Sequence, residues 1–195
     1  CFLDNTSFEY NSKDLYSYKL RGAETVLINL SEQLSKLGHK ITILNNCYKN
    51  EIINDIYWKK IQLYSLKETF DLAISNGDTR LFDKIISNKK ILFSHSLQTI
   101  EKFIRKKQLL SYLNHKPKIV FLSDYHKRIT SRITSLFGNI RLDWGIDDLF
   151  ITTQLDNNID NNLSSFTSRP DRNLDLLVDI WNNNIFPFFN NGKLL

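Results

Sequence analysis

The sequence predicts a doubly wound parallel α/β domain over residues 1–153, followed by a linker over 154–162 and the start of a second unit over 163–195. Three observations predict it. Apolar runs of strand length alternate with amphipathic helical stretches. Glycine or asparagine stands at most of their junctions. The segment from Cys1 to Leu44 reads as strand, glycine turn, helix, glycine, strand, a βαβ unit that demands a parallel sheet with a right-handed crossover.

The first helix follows Gly22. Ala23, Leu27, Leu30, Leu34 and Leu37 recur at spacings of three and four, and Gly38 ends the pattern. Lys40–Leu44 is the next strand, stopped by Asn45-Asn46. Tyr57–Ile61 is a short strand, and Asp71–Ser75 a buried-type one stopped by Asn76-Gly77. A helix is expected over Thr79–Ser87, a strand over Lys90–Ser94 and a helix over Gln98–Leu113. Pro117 precedes the strand Lys118–Ser123. A helix over Asp124–Phe137, closed by Gly138, and the strand Ile140–Leu142 complete the series.

Composition then changes. Gln154–Asn162 is polar and rich in Asn and Asp. Leu163–Thr167 reads as a strand and Asp171–Asn183 as a helix with Leu174, Leu177, Val178 and Trp181 on its apolar face. Lys193-Leu194-Leu195 opens another strand. The first residue is Cys1 and the chain has no methionine, so a fragment is expected at both ends.

Apolar content of 42% and charged content of 24% are those of a globular protein, and no run reaches the roughly 18–20 apolar residues that span a bilayer. No signal peptide opens the chain. Two cysteines make neither a disulfide framework nor a metal-ligand spacing; they read as reduced, buried thiols, which suits a cytoplasmic setting. A net charge of +5 and a pI near 9.1 suit an anionic substrate, a phospholipid surface or nucleic acid.

Five residues stand out as candidate site residues. Gly22 joins a strand to a helix, where backbone N–H groups can face an anion; a plain tight turn is the competing reading. G-x-G-x-x-G and the Walker loop are both absent. His95 directly follows a buried-type strand, where open parallel sheets bind ligands; a strand-end histidine bonded to its loop is the alternative. Asp147, in Gly145-Ile146-Asp147-Asp148, belongs to a turn with an acid pair. No D-x-D triplet occurs, and no metal site is expected. Arg169 and Arg172 flank the expected start of the second unit's helix, where the helix dipole favours acids. An anionic diphosphate would relieve that conflict through forked guanidinium donors. Lys102, Arg105, Lys106, Lys107, Lys127, Arg128 and Arg132 form a basic set that reads as a solvated face or as a contact for a membrane surface. Aromatics are not interleaved with it as in single-strand nucleic-acid binders.

Several segments together resemble family 4 glycosyltransferases, which have the two-Rossmann GT-B fold. They are Gly22-Ala23-Glu24, Leu37-Gly38-His39-Lys40-Ile41-Thr42-Ile43-Leu44, Gly145-Ile146-Asp147 with Phe150, and Ser168-Arg169 with Arg172-Asn173-Leu174-Asp175-Leu176-Leu177. The chain departs from the family pattern at Arg21, Trp144, Ser168 and Arg172-Asn173. The resemblance implies a Rossmann-like acceptor-side domain followed by the truncated start of a nucleotide-sugar-binding domain. It implies sugar transfer from a nucleotide-sugar donor to a saccharide or lipid-linked acceptor, as in polysaccharide biosynthesis. Anomeric configuration would be retained, with no metal and no cofactor. His95 would stand near the donor sugar, and Arg169 and Arg172 at the donor diphosphate. A cytoplasmic location, peripheral at the inner membrane surface, follows, with no nucleic-acid partner. The present fragment is expected to be inactive alone. A non-catalytic two-domain sugar- or nucleotide-binding protein is the alternative.

Overall fold

The computed structural model of the chain describes residues 1–17, 20–63, 68–143, 145, 149–152, 160, 162–167 and 173–195. The chain divides into two compact units, Cys1–Gly145 and Ile146–Leu195.

The first unit is α/β. Its strands are β1 (Phe2–Leu3), β2 (Ile41–Asn45), β3 (Glu51–Ile53), β4 (Ile56–Lys60), β5 (Thr69–Asn76), β6 (Ile86–Phe93), β7 (Lys118–Phe121) and β8 (Asn139–Arg141). They form one eight-stranded sheet in the order β3-β4-β2-β1-β5-β6-β7-β8. All pairs are parallel except β3 with β4. The order runs outward one way through β2 and β4 and the other way through β5 to β8. The direction therefore reverses between β1 and β5, the topological switch point of a doubly wound sheet.

Period-2 alternation assigns side chains to the two faces. Phe2 and Ile43 are register partners and point to one side, where α1 (Gly22–Lys36) covers them with Leu27 and Ile28, above Trp58 and Tyr10. Leu3 and Leu44, the next pair, point to the other side. There they meet Ala73 and a 3₁₀ turn at Thr79–Lys84 that supplies Leu81 and Phe82. A third cluster packs Leu92, Ile119 and Phe121 against Phe103 of α2 (Ile100–Arg105) and Tyr112 of α3 (Leu109–His115).

Helix α1 ends as the glycine predicts. Gly38 has φ +88°, its N–H bonds to the Ser35 carbonyl at 2.9 Å, and His39 N–H reaches back to Leu34 at 3.1 Å, the paired bonds of a Schellman cap. Its buried stripe, however, is Glu24, Leu27, Ile28 and Ser31; Leu37 belongs to the cap and is exposed.

Other expectations are corrected. Thr79–Ser87 is not a helix: the 3₁₀ turn stops at Lys84 and β6 starts at Ile86, so that Ser87 is buried in the sheet. Gln98–Leu113 is broken at Lys107, whose φ of +55° cannot continue a helix, into α2 and α3. Asp124–Phe137 is α4 (Asp124–Ile129) and a separate 3₁₀ turn (Arg132–Ser135), parted by extended backbone at Thr130. The β3–β4 hairpin was not foreseen. Both cysteines are free thiols, but only Cys47 is buried.

In the second unit, α5 (Leu149–Thr152) precedes β9 (Leu163–Ser164), which pairs in parallel with β10 (Lys193–Leu194). Between them lie α6 (Leu174–Ile180) and a π-type turn at Trp181–Ile185. The expected strand Leu163–Thr167 is thus only two residues long. Leu174, Leu177, Trp181 and Ile185 form the half-covered stripe, while Val178 is exposed. None of residues 151–152, 160, 162–167 and 173–195 is buried. Among the described residues no helix is long and apolar enough to cross a membrane.

Candidate functional site

The carboxyl ends of β1, β5 and β6 and the first turn of α1 converge at the switch point. Asp4 follows β1 and is 2% exposed. Its Oδ2 accepts from the Tyr10 hydroxyl at 2.9 Å and from the Thr6 N–H at 3.1 Å. Its Oδ1 accepts from Asn76 Nδ2, at the end of β5, at 2.8 Å. Asn45, the last residue of β2, fixes the loop from below through Nδ2 to the Tyr10 carbonyl at 3.0 Å. Burial pushes the Tyr10 phenol well above its usual value, and the adjacent Asp4 charge adds to the effect, so this hydroxyl stays a donor.

Glu24 lies on the inner side of the first turn of α1 and is 4% exposed. Its Oε1 accepts from the Thr6 hydroxyl at 2.8 Å. Its Oε2 is buried and has no hydrogen-bond partner among the described residues. A buried carboxylate oxygen left so is costly, and it marks a place where a donor from outside fits.

His95 stands two residues beyond β6, at the same carboxyl edge. Its ring meets the Phe93 ring edge-on at 4.6 Å. Burial holds the imidazole below its ordinary value, while the nearby Glu24 and Asp4 charges oppose the shift without reversing it. Held below the ordinary imidazole value, the ring is neutral near neutral pH. Lys102 pins the following loop, donating to Ser96 Oγ at 2.7 Å and to the Leu97 carbonyl at 3.0 Å.

Gly22 is the first residue of α1 and is exposed. Nothing lies within 4 Å of where a Cβ would stand, so packing does not demand glycine there. Arg21, the residue before it, makes no side-chain cap, and its guanidinium lies 5.1 Å over the Phe8 ring. The helix start is therefore open, while Glu24 and Asp4 make the ground beneath it acidic. Such a place selects hydrogen-bond donors, above all hydroxyl groups. Asp147, Arg169 and Arg172 lie outside the described residues.

A third acid at this edge shows the contrast. Asp78 is buried too, but Arg80 meets it through Nε and Nη2, the latter at 2.6 Å, and Asn5 Nδ2 donates to it at 2.9 Å. Asp4 and Glu24 have only neutral donors in hydrogen-bond reach among the described residues. The described residues contain no group of three His, Cys, Asp or Glu placed to hold a metal ion.

Sequence reasoning selected Gly22 and His95 of this cluster and missed Asp4, Thr6, Tyr10, Glu24 and Asn76. The available signal was position: Asp4 and Asn76 each terminate a buried-type strand, as His95 does. Comparison with protein-family models, with curated proteins and with solved structures gives no match to this chain.

Proposed function

We propose that this chain belongs to a glycosyltransferase that moves a sugar from a nucleotide-sugar donor to a saccharide or lipid-linked acceptor. In this reading the first unit is the acceptor-side Rossmann-like domain of a GT-B enzyme, and the second unit opens the donor domain. Transfer is metal-independent and retains configuration.

The observation that carries the reading is Glu24 Oε2, a buried acceptor without a donor among the described residues, at the carboxyl edge of the sheet where His95 follows β6. An acceptor hydroxyl bonded to Glu24 gains nucleophilic character as it approaches the donor carbon. His95 bonds a second sugar hydroxyl as donor or acceptor, since a neutral imidazole can do either. Negative charge grows on the leaving diphosphate, the group for which the resemblance supplies Arg169 and Arg172 as donors.

Calorimetry on the whole gene product tests this. Nucleoside diphosphate should bind in preference to free nucleoside and to free sugar. Arg169→Ala or Arg172→Ala should each weaken diphosphate binding by about 1.5–3 kcal/mol, the range for a hydrogen bond to a charged group. Preference for free sugar would make the protein a non-catalytic binder. Equal losses for diphosphate and free nucleoside would assign both arginines to the fold.

A further inference from the structure

The segments 104–113 and 124–136 carry an exposed surface that the site above does not use. On the first, Ile104 at the end of α2 and Leu110 and Leu113 on α3 are exposed, and Arg105, Lys106 and Lys107 stand at the turn between them. On the second, Ile129, Ile133 and Leu136 are exposed beside Lys127, Arg128 and Arg132. The two segments are knit together by Tyr112, whose hydroxyl donates to the Thr134 carbonyl at 2.8 Å and whose ring meets Phe137 at 5.2 Å. None of the six cations is in an ion pair among the described residues. The nearby acids are taken: Asp124 by Arg141, and Asp83 by His115.

We propose that this surface is a docking face for a bilayer rich in anionic phospholipid. Six exposed aliphatic side chains among these cations give the face an apolar component that a purely polar, solvated face lacks. A single-strand nucleic-acid groove would present flat aromatic rings, and Tyr125 is the one exposed aromatic on these segments. Exposed aliphatics interleaved with unpaired Lys and Arg match the boundary between acyl chains and negative headgroups. The patch also adjoins the His95 loop, because Lys102 of α2 both clamps residues 96 and 97 and has its own ammonium pushed down by burial and by Lys106 and Arg105. Bilayer binding stands apart from glycosyl transfer and can hold or fail without it.

The test is co-sedimentation of the full chain with vesicles of phosphatidylcholine alone and with about 30% phosphatidylglycerol, at about 0.1 M and about 0.5 M salt. Binding should be at least about tenfold stronger to the anionic vesicles and should weaken in high salt. Each cation near such a surface contributes about fivefold, so Arg105→Gln with Lys106→Gln and Lys107→Gln should lower binding by about a hundredfold. Lys36→Gln with Lys40→Gln and Lys89→Gln removes the same charge elsewhere and should leave most binding intact. Leu110→Ser with Ile133→Ser should lower binding about tenfold while the salt dependence persists. Equal binding to neutral and anionic vesicles, equal losses in the two glutamine triples, or tighter binding of duplex RNA than of vesicles would each overturn the proposal.

Discussion

Replacing Glu24 by glutamine separates a residue kept for the fold from one kept for a ligand. Glutamine can keep the bond from the Thr6 hydroxyl, now 2.8 Å from Oε1, while it removes a buried charge that has no cation in hydrogen-bond reach among the described residues. An unsatisfied buried polar group costs about 1–3 kcal/mol, so relieving part of it should raise unfolding free energy by about 1 kcal/mol. In a unit of this size that is an increase of about 2–4 °C in melting temperature. Affinity for a hydroxyl-bearing ligand should move the other way. Losing a hydrogen bond to a charged acceptor is worth about 1.5–3 kcal/mol, a factor of about ten to a hundred and fifty. Thermal melts and saccharide titrations on wild type and Glu24→Gln give both numbers. A fall in melting temperature with ligand affinity unchanged would make Glu24 a structural residue and remove it from the site.

Three other outcomes are expected. Tyr10→Phe removes one of the three donors on Asp4 and should cost about 1–3 kcal/mol in denaturant unfolding, whereas Tyr57→Phe, on an exposed ring, should cost almost nothing. The His95 pKa is depressed in the folded state, so the unfolded chain takes up its proton first as pH falls. The stability this group allows is complete above about 6.5 and is lost as pH drops from there through the lower folded value, and His95→Gln should flatten that part of the curve between about pH 7.5 and about pH 5.5. Gly192→Ala would put a Cβ 2.9 Å from Phe189 Cδ1, 3.0 Å from Trp181 Cη2 and 3.1 Å from the Phe189 carbonyl; it should destabilise the second unit by about 1–3 kcal/mol, read from Trp181 emission.

The parallel sheet was legible because its signals are local. Ile41–Asn45, Thr69–Asn76 and Lys118–Phe121 are apolar runs bounded by asparagine, glycine or proline, and Gly38 ends α1 where its positive φ requires. The β3–β4 hairpin was not read, although Asn54 and Asp55 carry φ of +51° and +59°, a two-residue turn of the type that hairpins favour. Asn-Asp announces that turn more weakly than Asn-Gly does. Residues 85–89 were misread for a related reason. Ile85 and Ser87 are buried and alternate with exposed Ile86 and Asn88, but a serine facing inward and two lysines following conceal the period. The site was harder still. Asp4, Glu24, Asn76 and His95 come from three strand ends and one helix, and only the strand order makes neighbours of them. Histidine drew attention by its chemistry, while Asp4 passed as the polar end of a strand.

What surrounds Asp4 and Glu24 supports reading them as a site rather than as acids kept only for the fold. Asp78 shows how this fold treats an acid that only needs to be buried: a guanidinium two residues on grips both of its oxygens. Nothing in the geometry of the sheet forbids the same answer for Glu24, one turn below an exposed Arg21. Yet Arg21 turns toward the Phe8 ring, and among the described residues Glu24 has one hydroxyl on Oε1 and no partner on Oε2. Asp4, fully bonded through neutral donors, cannot share any of them with Glu24 without losing its own, because Thr6 already serves both residues, through N–H to one and the hydroxyl to the other. Among the described residues the pair is therefore a set of acceptors short of one donor, held at the place where a doubly wound sheet opens. Arrangements of that kind lower stability, and they are retained where a ligand completes them.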